Sequence, residues 1–205
     1  MTAMIDHRLY APAVTRNRDP ILEVLRAILP GEGLVLEIAS GSGEHVVHFA
    51  AQLPELTFQP SDLGTEARAS IGAWTAASGA KNILAPLALD ATATPWPIAR
   101  ADAILCINMI HISSWTATEG LFAGARALLP EGAPLFLYGP YRRNGAHTAP
   151  SNAAFDESLR AQNPEWGVRN LETVAACAAQ AGFSAPQIFE MPANNLSVIF
   201  RRMPS

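Results

Sequence analysis

The stretch that most constrains the fold is residues 34–47, LVLEIASGSGEHVV. It opens with the apolar run LVLEI, which has the length of a buried parallel strand and is too short for a helix. The small residues of positions 39–43 follow, and they let the backbone turn sharply and lie close to a ligand. Apolar residues at helical spacing come next. A strand, a glycine turn and a helix start together predict the nucleotide-binding corner of a doubly wound α/β sheet.

The spacing of the glycines indicates which nucleotide this corner fits. A dinucleotide fingerprint has a third glycine three residues after the second, and Val46 occupies that position here. The loop also lacks the Gly-Lys-Ser/Thr of a P-loop. It does carry an acidic residue, Glu37, near the strand end, in the arrangement Glu-x-x-x-Gly-x-Gly. This pattern weighs against a nicotinamide cofactor and resembles the first motif of class I S-adenosylmethionine-dependent methyltransferases.

Composition limits the class of protein further. The 205 residues suit a single domain, and 49% hydrophobic with 16% charged residues are typical of a globular chain. The net charge is −4 and the basic residues are scattered, so no nucleic-acid partner is indicated. No apolar run approaches 18 residues, so no membrane span is predicted.

The cysteines and the N-terminal residues indicate the compartment. The first residues, MTAMIDHRLYAPAV, lack the basic-then-apolar order of a secretory signal. Cys106 and Cys177 lie in apolar segments and are expected to be buried thiols, as suits the reducing cytoplasm. No Cys/His spacing is typical of a metal site, so we predict a cytoplasmic protein without a metal.

Residues 1–20 are polar and irregular, and Asp19-Pro20 reads as an N-cap followed by a proline in the first helical position. A helix is then expected over residues 21–29. The N-terminal arm, residues 1–20, is either a lid over the cofactor or a solvated arm. If it is a lid, Arg16 is placed to clamp a carboxylate of the cofactor or of the substrate.

Acidic residues follow two of the predicted strands. A second strand over residues 56–60 is followed by Asp62, about 20 residues past the glycine loop, where a carboxylate can accept hydrogen bonds from both ribose hydroxyls. The alternative is that Ser61 or Asp62 caps the next helix, residues 65–78. Asp90 follows a third strand over residues 83–89. Its place resembles that of the carboxylate with which class I methyltransferases often bind the adenine amino group, although an acid in a free loop would look the same in sequence.

A continuous apolar run over residues 101–108 predicts the central fourth strand, and its carboxyl end faces the crevice where ligands bind. His111 follows that end and has the side chain suited to acid–base chemistry near neutrality, although a structural role is equally open to it. His45 lies within a turn of the glycine loop and is a candidate cofactor contact. No serine stands in recognisable triad spacing to these histidines, so a hydrolase is disfavoured.

The second half of the chain is expected to hold the acceptor site. A fifth strand over residues 133–141 leads into a long polar loop, and loops at such strand ends carry the substrate site. Two helices, residues 152–160 and 171–181, form a helical insertion spanning residues 151–182 between the fifth and sixth strands. Residues 185–191 and 196–200 are the last two strands, and their hairpin-like return resembles the antiparallel seventh strand of class I methyltransferases.

Over residues 16–202 the chain is similar to a small methyltransferase-like family of unknown function found in bacteria and animals. The segments that carry the resemblance are VLEIASGSGEHVVHFA, QPSDL, INMIHISSW, EGLFAGARALLP, FLYGPYRRNGAHTAPSNAAFD, PEWGVRNL and MPANNLSVIF. The resemblance implies a Rossmann-like, doubly wound α/β sheet of seven strands with the last one antiparallel. It also implies binding of S-adenosylmethionine and of its product, S-adenosylhomocysteine.

The site residues are predicted in three groups. The expected cofactor contacts are Arg16, Glu37, Ala39, Gly41, Gly43, His45, Asp62, Leu63, Asp90, Ala91, Asn108 and Met109. The candidate substrate contacts are Tyr138, Arg142, Asn152, Asn194 and Asn195. The candidate catalytic residues are His111, Tyr141 and His147.

The function predicted from these residues is methyl transfer to a small molecule through N, O or S. Such a transfer is an in-line displacement, in which positioning supplies much of the rate and a base is needed only for a protonated acceptor. Two alternatives remain, a non-catalytic module that binds the same cofactor and a nicotinamide-dependent oxidoreductase. The compact chain favours a small-molecule substrate over nucleic acid or a large protein surface.

Overall fold

A computed structural model describes residues 6–204 of the chain. Its main sheet has seven strands: β1 (Gly33–Ile38), β2 (Leu56–Asp62), β3 (Leu87–Ala88), β4 (Ala103–Ile107), β5 (Pro134–Pro140), β8 (Gln187–Met191) and β9 (Asn195–Arg201). They lie in the order β3-β2-β1-β4-β5-β9-β8. Strands β1 to β5 are parallel, and β9 runs antiparallel to both neighbours. The predicted seven-stranded sheet with an antiparallel last strand is confirmed.

Helices cover both faces of the sheet. One face carries α1 (Pro12–Ile28), α2 (Glu44–Gln52) and α3 (Thr65–Ser78), and the other carries α4 (Trp115–Leu128) and α6 (Leu171–Gln180). Strand residues alternate between the two hydrophobic cores: Leu105 of β4 packs with α1, α2 and α3, whereas Cys106 packs with α4 and α6. This alternation follows from the two-residue period of a strand and explains why β4 is a continuous apolar run.

The chain order creates a crevice between β1 and β4. From β1 the chain moves outward through β2 to β3, and from β4 it moves the other way through β5. The crossover connections therefore part at the carboxyl ends of β1 and β4. This is the position where open α/β sheets bind ligands.

Helix α1 begins earlier than the sequence predicts. Its first residue is Pro12, and Pro20, which was expected to open the helix, lies inside it. An internal proline removes one backbone hydrogen bond and costs about 3 kcal/mol. Burial of Val14, Asn17 and Ile21 on one face of the helix offsets this cost. The N-cap predicted at Asp19 is therefore wrong, and part of the predicted arm is helical.

The polar segment after β5 is also more ordered than expected. It forms a two-stranded hairpin, β6 (Arg142–Arg143) and β7 (Ala146–His147), around Asn144 and Gly145, both at positive φ. Helix α5 (Pro150–Gln162) follows, and with α6 it forms the predicted helical insertion. Among residues 6–204, no helix combines the length and apolarity needed to cross a membrane.

Candidate cofactor site

The glycine loop between β1 and α2 depends on backbone conformations that favour glycine. Gly41 has a φ of 59° and Gly43 a φ of 90°, both in the left-handed region. A Cβ added at Gly43 would lie 2.8 Å from the Cα of Ile71, so the loop packs directly on α3. A Cβ at Gly41 would meet nothing within 4 Å. Gly43 therefore serves packing, whereas the open side of Gly41 leaves room for a ligand.

Asp62 closes the loop from the neighbouring strand. Its Oδ2 accepts a hydrogen bond from the Gly41 amide at 3.0 Å, and its Oδ1 accepts one from the Gly64 amide at 2.8 Å. Helix α3 starts after Gly64 and has no side-chain cap, so neither Ser61 nor Asp62 caps it. Each carboxylate oxygen still has a free lone pair. Asp62 is thus positioned beside the loop with capacity for further hydrogen bonds.

A pocket of about 180 Å³ opens at the carboxyl ends of β1, β2 and β4. Six of the predicted cofactor contacts line it: Ala39, Asp62, Leu63, Asp90, Ala91 and Met109. The other lining residues were not predicted from the sequence: Ile38, Leu89, Ser113 and Ala117. They are apolar or small residues within or next to strands and helices, so only their place in the fold assigns them to the pocket.

The pocket has an acidic side and an apolar side. The Asp90 Oδ1 accepts hydrogen bonds from the amide and the hydroxyl of Thr92, both at 2.8 Å, which fixes that carboxylate in a tight turn. Leu63 is 65% exposed at the pocket rim, an unusual position for a leucine. The pocket therefore combines carboxylates with apolar lining residues.

Glu37 lies at the end of β1, beneath the glycine loop. It is 2% exposed, and its Oε2 has no hydrogen-bond partner among residues 6–204. Burial raises the pKa of Glu37 to about 7, with a smaller contribution from the charge of Asp62 and an opposing hydrogen bond from Ser40. A buried, unpaired carboxylate oxygen is costly unless a ligand satisfies it. A cationic group bound beside the loop would do so.

The N-terminal arm lies against the glycine loop. The Ala11 amide donates to the Glu44 Oε2 at 2.7 Å, and the Leu9 amide donates to the Ser70 Oγ at 2.8 Å. Arg16 lies on the exposed side of α1. The described part of the predicted lid therefore packs beside the site. Positions 1–5 of the arm lie outside the described residues.

Two predicted cofactor contacts have other partners. The His45 Nε2 donates to the Asn17 Oδ1 at 2.9 Å, and burial lowers the pKa of His45 to about 4, so its ring is neutral at pH 7. Asn108 adopts a left-handed conformation with a φ of 63°, and its amide donates to the Tyr138 carbonyl at 2.8 Å. Neither residue lines the pocket described above.

The side chains of His111 and Tyr141 pack against each other and are both buried. Both are 0% exposed, and their rings meet edge to face with centroids 5.1 Å apart. Burial lowers the pKa of His111 to about 3 and raises that of the Tyr141 hydroxyl. The backbone of Gly139 lies so close that a Cβ there would be 2.5 Å from the His111 Nε2. These surroundings disfavour the catalytic roles predicted for both residues, because a base must reach its substrate and accept a proton near neutrality.

Amide side chains gather at the carboxyl end of β5 and the start of β9, the side of the crevice where the substrate contacts are predicted and which we call the acceptor side. The Asn195 Nδ2 donates to the Tyr138 hydroxyl at 3.1 Å, and the Asn152 Nδ2 donates to the Asn194 carbonyl at 2.9 Å. Burial raises the pKa of Tyr138, while hydrogen bonds from Asn195 and Asn17 act against the rise. Asn17 was missed by the sequence analysis because it lay in a segment expected to be irregular. Four of the five predicted substrate residues thus form two hydrogen-bonded pairs.

The hairpin side chains lie farther along the same side. The His147 Nε2 is 3.4 Å from the Oδ2 of Asp156, which is 6% exposed on α5. A guanidinium nitrogen of Arg142, Nη2, donates to the Gly145 carbonyl. Among residues 6–204, no three His, Cys, Asp or Glu side chains come together as a metal site.

The fold matches known methyltransferase structures at low sequence identity. Human N-acetylserotonin methyltransferase, solved with S-adenosylmethionine, is 14% identical with a TM-score of 0.78, and the alignment covers 94% of this chain and 53% of that one. An O-methyltransferase family 2 protein from Planctomyces limnophilus, solved with apigenin, is 19% identical with a TM-score of 0.77 and coverages of 93% and 60%. The chain therefore spans little more than half the length of these two proteins.

A third structure matches over its whole length. YcgJ from Bacillus subtilis is 12% identical with a TM-score of 0.71, and the alignment covers 93% of this chain and 100% of that one. These likenesses show the class I methyltransferase fold. Residues 8–202 also match the model of a family described as a protein of unknown function, DUF938. The chain belongs to that family.

Proposed function

We propose that this protein is an S-adenosylmethionine-dependent methyltransferase that acts on a small-molecule acceptor. The observation that carries the proposal is the pocket at the carboxyl ends of β1, β2 and β4, with Asp62 and Asp90 on its walls. The unpartnered Oε2 of Glu37 lies nearby at the end of β1. This set of groups fits a ligand that carries an adenosine and a cationic amino acid.

Each carboxylate suits one part of that ligand. We assign Asp62 to the ribose hydroxyls and Asp90 to the adenine amino group, each carboxylate accepting hydrogen bonds from its part of the ligand. We assign Glu37 to the ammonium group, because a cation near its carboxylate would keep that carboxylate ionised: opposite charges nearby favour the charged form. Val46, the position of the third glycine in a dinucleotide fingerprint, is fully buried against the sheet.

The bound cofactor supplies an electrophilic methyl group on a sulfonium. The chain's contribution is to hold the acceptor in line and exclude water, which can account for a large part of the rate. The neutral groups of the acceptor side, Tyr138, Asn195 and Asn17, are suited to orienting an uncharged polar acceptor through N, O or S. A base is needed only if the acceptor atom carries a proton at the moment of attack.

A second candidate is a non-catalytic module that binds the same cofactor. The observation that favours it is the burial of His111 and Tyr141, which removes two of the three predicted catalytic residues from the crevice. Turnover separates the two candidates. Formation of S-adenosylhomocysteine with any member of a panel of hydroxyl, amine and thiol acceptors supports the enzyme and excludes the module.

Calorimetric titration with S-adenosylmethionine, S-adenosylhomocysteine and NAD tests the cofactor directly. We expect micromolar binding of both sulfur compounds and none of NAD. The test variant is Asp62→Ala, and its matched control is Asp102→Ala. Asp102 also accepts a hydrogen bond from a backbone amide, that of Leu34, but at the opposite end of β1. Loss of binding in the first variant alone supports the site. Failure of the wild-type protein to bind either sulfur compound refutes the proposal.

A further inference from the structure

One wall of the pocket belongs to the connection between β4 and α4, which contains a single turn of 3-10 helix, Met109–His111. The β4–α4 loop, residues 108–114, contributes Met109 and Ser113 to the pocket lining. The Ser113 Oγ donates to the Met109 carbonyl at 2.8 Å, which couples the two positions. The connection makes its own turn hydrogen bonds to the Asn108 and Met109 carbonyls. The Ile110 and Ser113 carbonyls, in contrast, accept hydrogen bonds from a side chain outside it.

Arg169 supplies these hydrogen bonds from outside the pocket. Its Nε donates to the Ile110 carbonyl at 2.8 Å, and its Nη2 donates to the Ser113 carbonyl at 2.7 Å. Its guanidinium also lies 5.8 Å from the ring centre of Trp115, the first residue of α4. The planar fork of arginine thus spans the loop and the helix that follows it.

The charged guanidinium of Arg169 donates its hydrogen bonds to backbone carbonyl oxygens. Within residues 6–204, no carboxylate lies in ion-pair distance of its guanidinium, and Glu165 contributes only its carbonyl oxygen, at 2.9 Å. Half-buried guanidinium groups commonly pair with a carboxylate at a stable interface. Here the acceptors are backbone atoms of the loop, so the contact fixes backbone position rather than neutralising a charge.

Further bonds tie the same two segments together. The α5–α6 loop, residues 163–170, donates from the Gly167 amide to the His111 carbonyl at 2.9 Å. Asp156 of α5 holds this loop in turn, since its Oδ1 accepts from the Val168 amide at 2.7 Å. His147 of the hairpin lies against Asp156. A continuous set of contacts therefore runs from the acceptor-side hairpin to the pocket wall.

We propose that Arg169 is a positioning residue for the cofactor pocket: by binding the Ile110 and Ser113 carbonyls, it fixes the wall that Met109 and Ser113 form. The inference rests on the proposed function, because it takes this pocket to hold the adenosine part of S-adenosylmethionine. It also gives the helical insertion a role, which is to carry the residue that shapes the cofactor site.

The test measures S-adenosylhomocysteine binding by calorimetry in the wild type, Arg169→Gln and Arg169→Lys. We expect Arg169→Gln to weaken binding about tenfold, equivalent to about 1.4 kcal/mol. Arg169→Lys keeps the charge but cannot span two carbonyls, so an intermediate loss is expected. The control is Arg201→Gln, which removes an arginine hydrogen bond to the Gly132 carbonyl at the amino end of β5, the edge of the sheet opposite the pocket, and leaves affinity unchanged.

A double-mutant cycle with Met109→Ala separates positioning from a general loss of stability. If Arg169 acts through the wall, Arg169→Lys has little further effect on affinity once Met109 is truncated, so the two losses are not additive. Additive losses, or unchanged affinity in both Arg169 variants, overturn the inference while the proposed function stands. Absence of binding by the wild-type protein overturns the proposed function and this inference together.

Discussion

The two halves of the crevice are built in different ways. In the cofactor half, which comprises the glycine loop and the ends of β1, β2 and β3, polar groups are fixed by backbone amides, as Asp62 is by Gly41 and Gly64. In the acceptor half, which comprises the ends of β5 and β9, the hairpin and α5, side chains are fixed by partners distant in sequence. Asn195 and Tyr138, for example, are 57 positions apart.

This difference separates what binds a shared cofactor from what selects an acceptor. A site formed by backbone groups tolerates few substitutions, since each glycine or turn residue adopts a backbone conformation that few other residues can adopt. A site built from long-range side-chain pairs can change its members without changing the fold. We therefore expect substitutions in the cofactor half to affect binding and stability strongly, and substitutions at the ends of β5 and β9 to affect stability modestly and cofactor affinity little.

The largest effect is expected at Gly43. In Gly43→Ala the added Cβ meets the Cα of Ile71 at 2.8 Å in a left-handed conformation, so the loop must shift. We expect the free energy of unfolding to fall by about 2–5 kcal/mol and cofactor binding to be lost. Urea unfolding and calorimetry with S-adenosylhomocysteine measure the two effects.

Gly41→Ala is the matched control. Its Cβ meets nothing within 4 Å, so only the left-handed backbone is strained, at about 1 kcal/mol. Affinity should nevertheless fall, because the methyl group enters the open side of the loop. Equal stability losses in the two variants would contradict the distinction between a packing glycine and a ligand-facing glycine.

The second effect concerns the buried carboxylate of Glu37. Because its folded pKa of about 7 lies above the ordinary value, the folded protein loses stability as pH rises through 7. Glu37→Gln removes this charge, and we expect it to raise the unfolding free energy at pH 8 by about 3 kcal/mol. The gain should disappear below pH 4.5, where the carboxyl is protonated in both states, and cofactor affinity should fall. Denaturant unfolding at pH 4 and 8 provides the comparison.

The cofactor half is also the part that the sequence predicted well. The run from β1 through the glycine loop into α2 is local, so strand length, glycine spacing and helical periodicity all point the same way. Asp62 was found because the distance from the loop to the next strand end is nearly fixed in such folds. Six predicted residues line the same pocket, five of them from this half and Met109 from the end of β4.

The misses share a cause, which is tertiary contact. Pro20 looked like a helix start until burial of Val14 and Asn17 extended α1 past it.

Other misses differ in whether any local signal existed. The hairpin turn at Asn144-Gly145 did carry one, since Asn-Gly favours this turn type. No local sequence pattern predicts that the Arg169 side chain binds the carbonyls of Ile110 and Ser113, more than 50 residues away. Such a contact is visible only once the fold brings the two loops together.

The third effect tests whether His111 belongs to the chemistry or to the core. The pKa of His111 is about 3 in the folded protein, below the ordinary 6.5, so as the pH falls the unfolded chain takes up the proton before the folded protein does. His111 therefore lowers the free energy of unfolding as the pH falls below 6.5. Between pH 6.5 and 5 this amounts to about 2 kcal/mol. We expect His111→Gln to flatten the pH dependence of unfolding by that amount, and His45→Gln to act similarly. An unchanged slope would mean that His111 takes up a proton in the folded protein and would revive it as a general base.

The smallest effect, at Asn195, is the most direct check on the contrast between the halves. Asn195→Ala removes the hydrogen bond to the Tyr138 hydroxyl, and we expect a stability loss of about 1 kcal/mol with S-adenosylhomocysteine affinity unchanged. Tyr138→Phe removes the same bond from the other side and serves as its partner control. If either variant lowers the free energy of cofactor binding as much as it lowers the free energy of unfolding, the acceptor half is coupled to the cofactor. The cofactor site would then extend to the Tyr138–Asn195 pair, which the hydrogen bonds alone do not indicate.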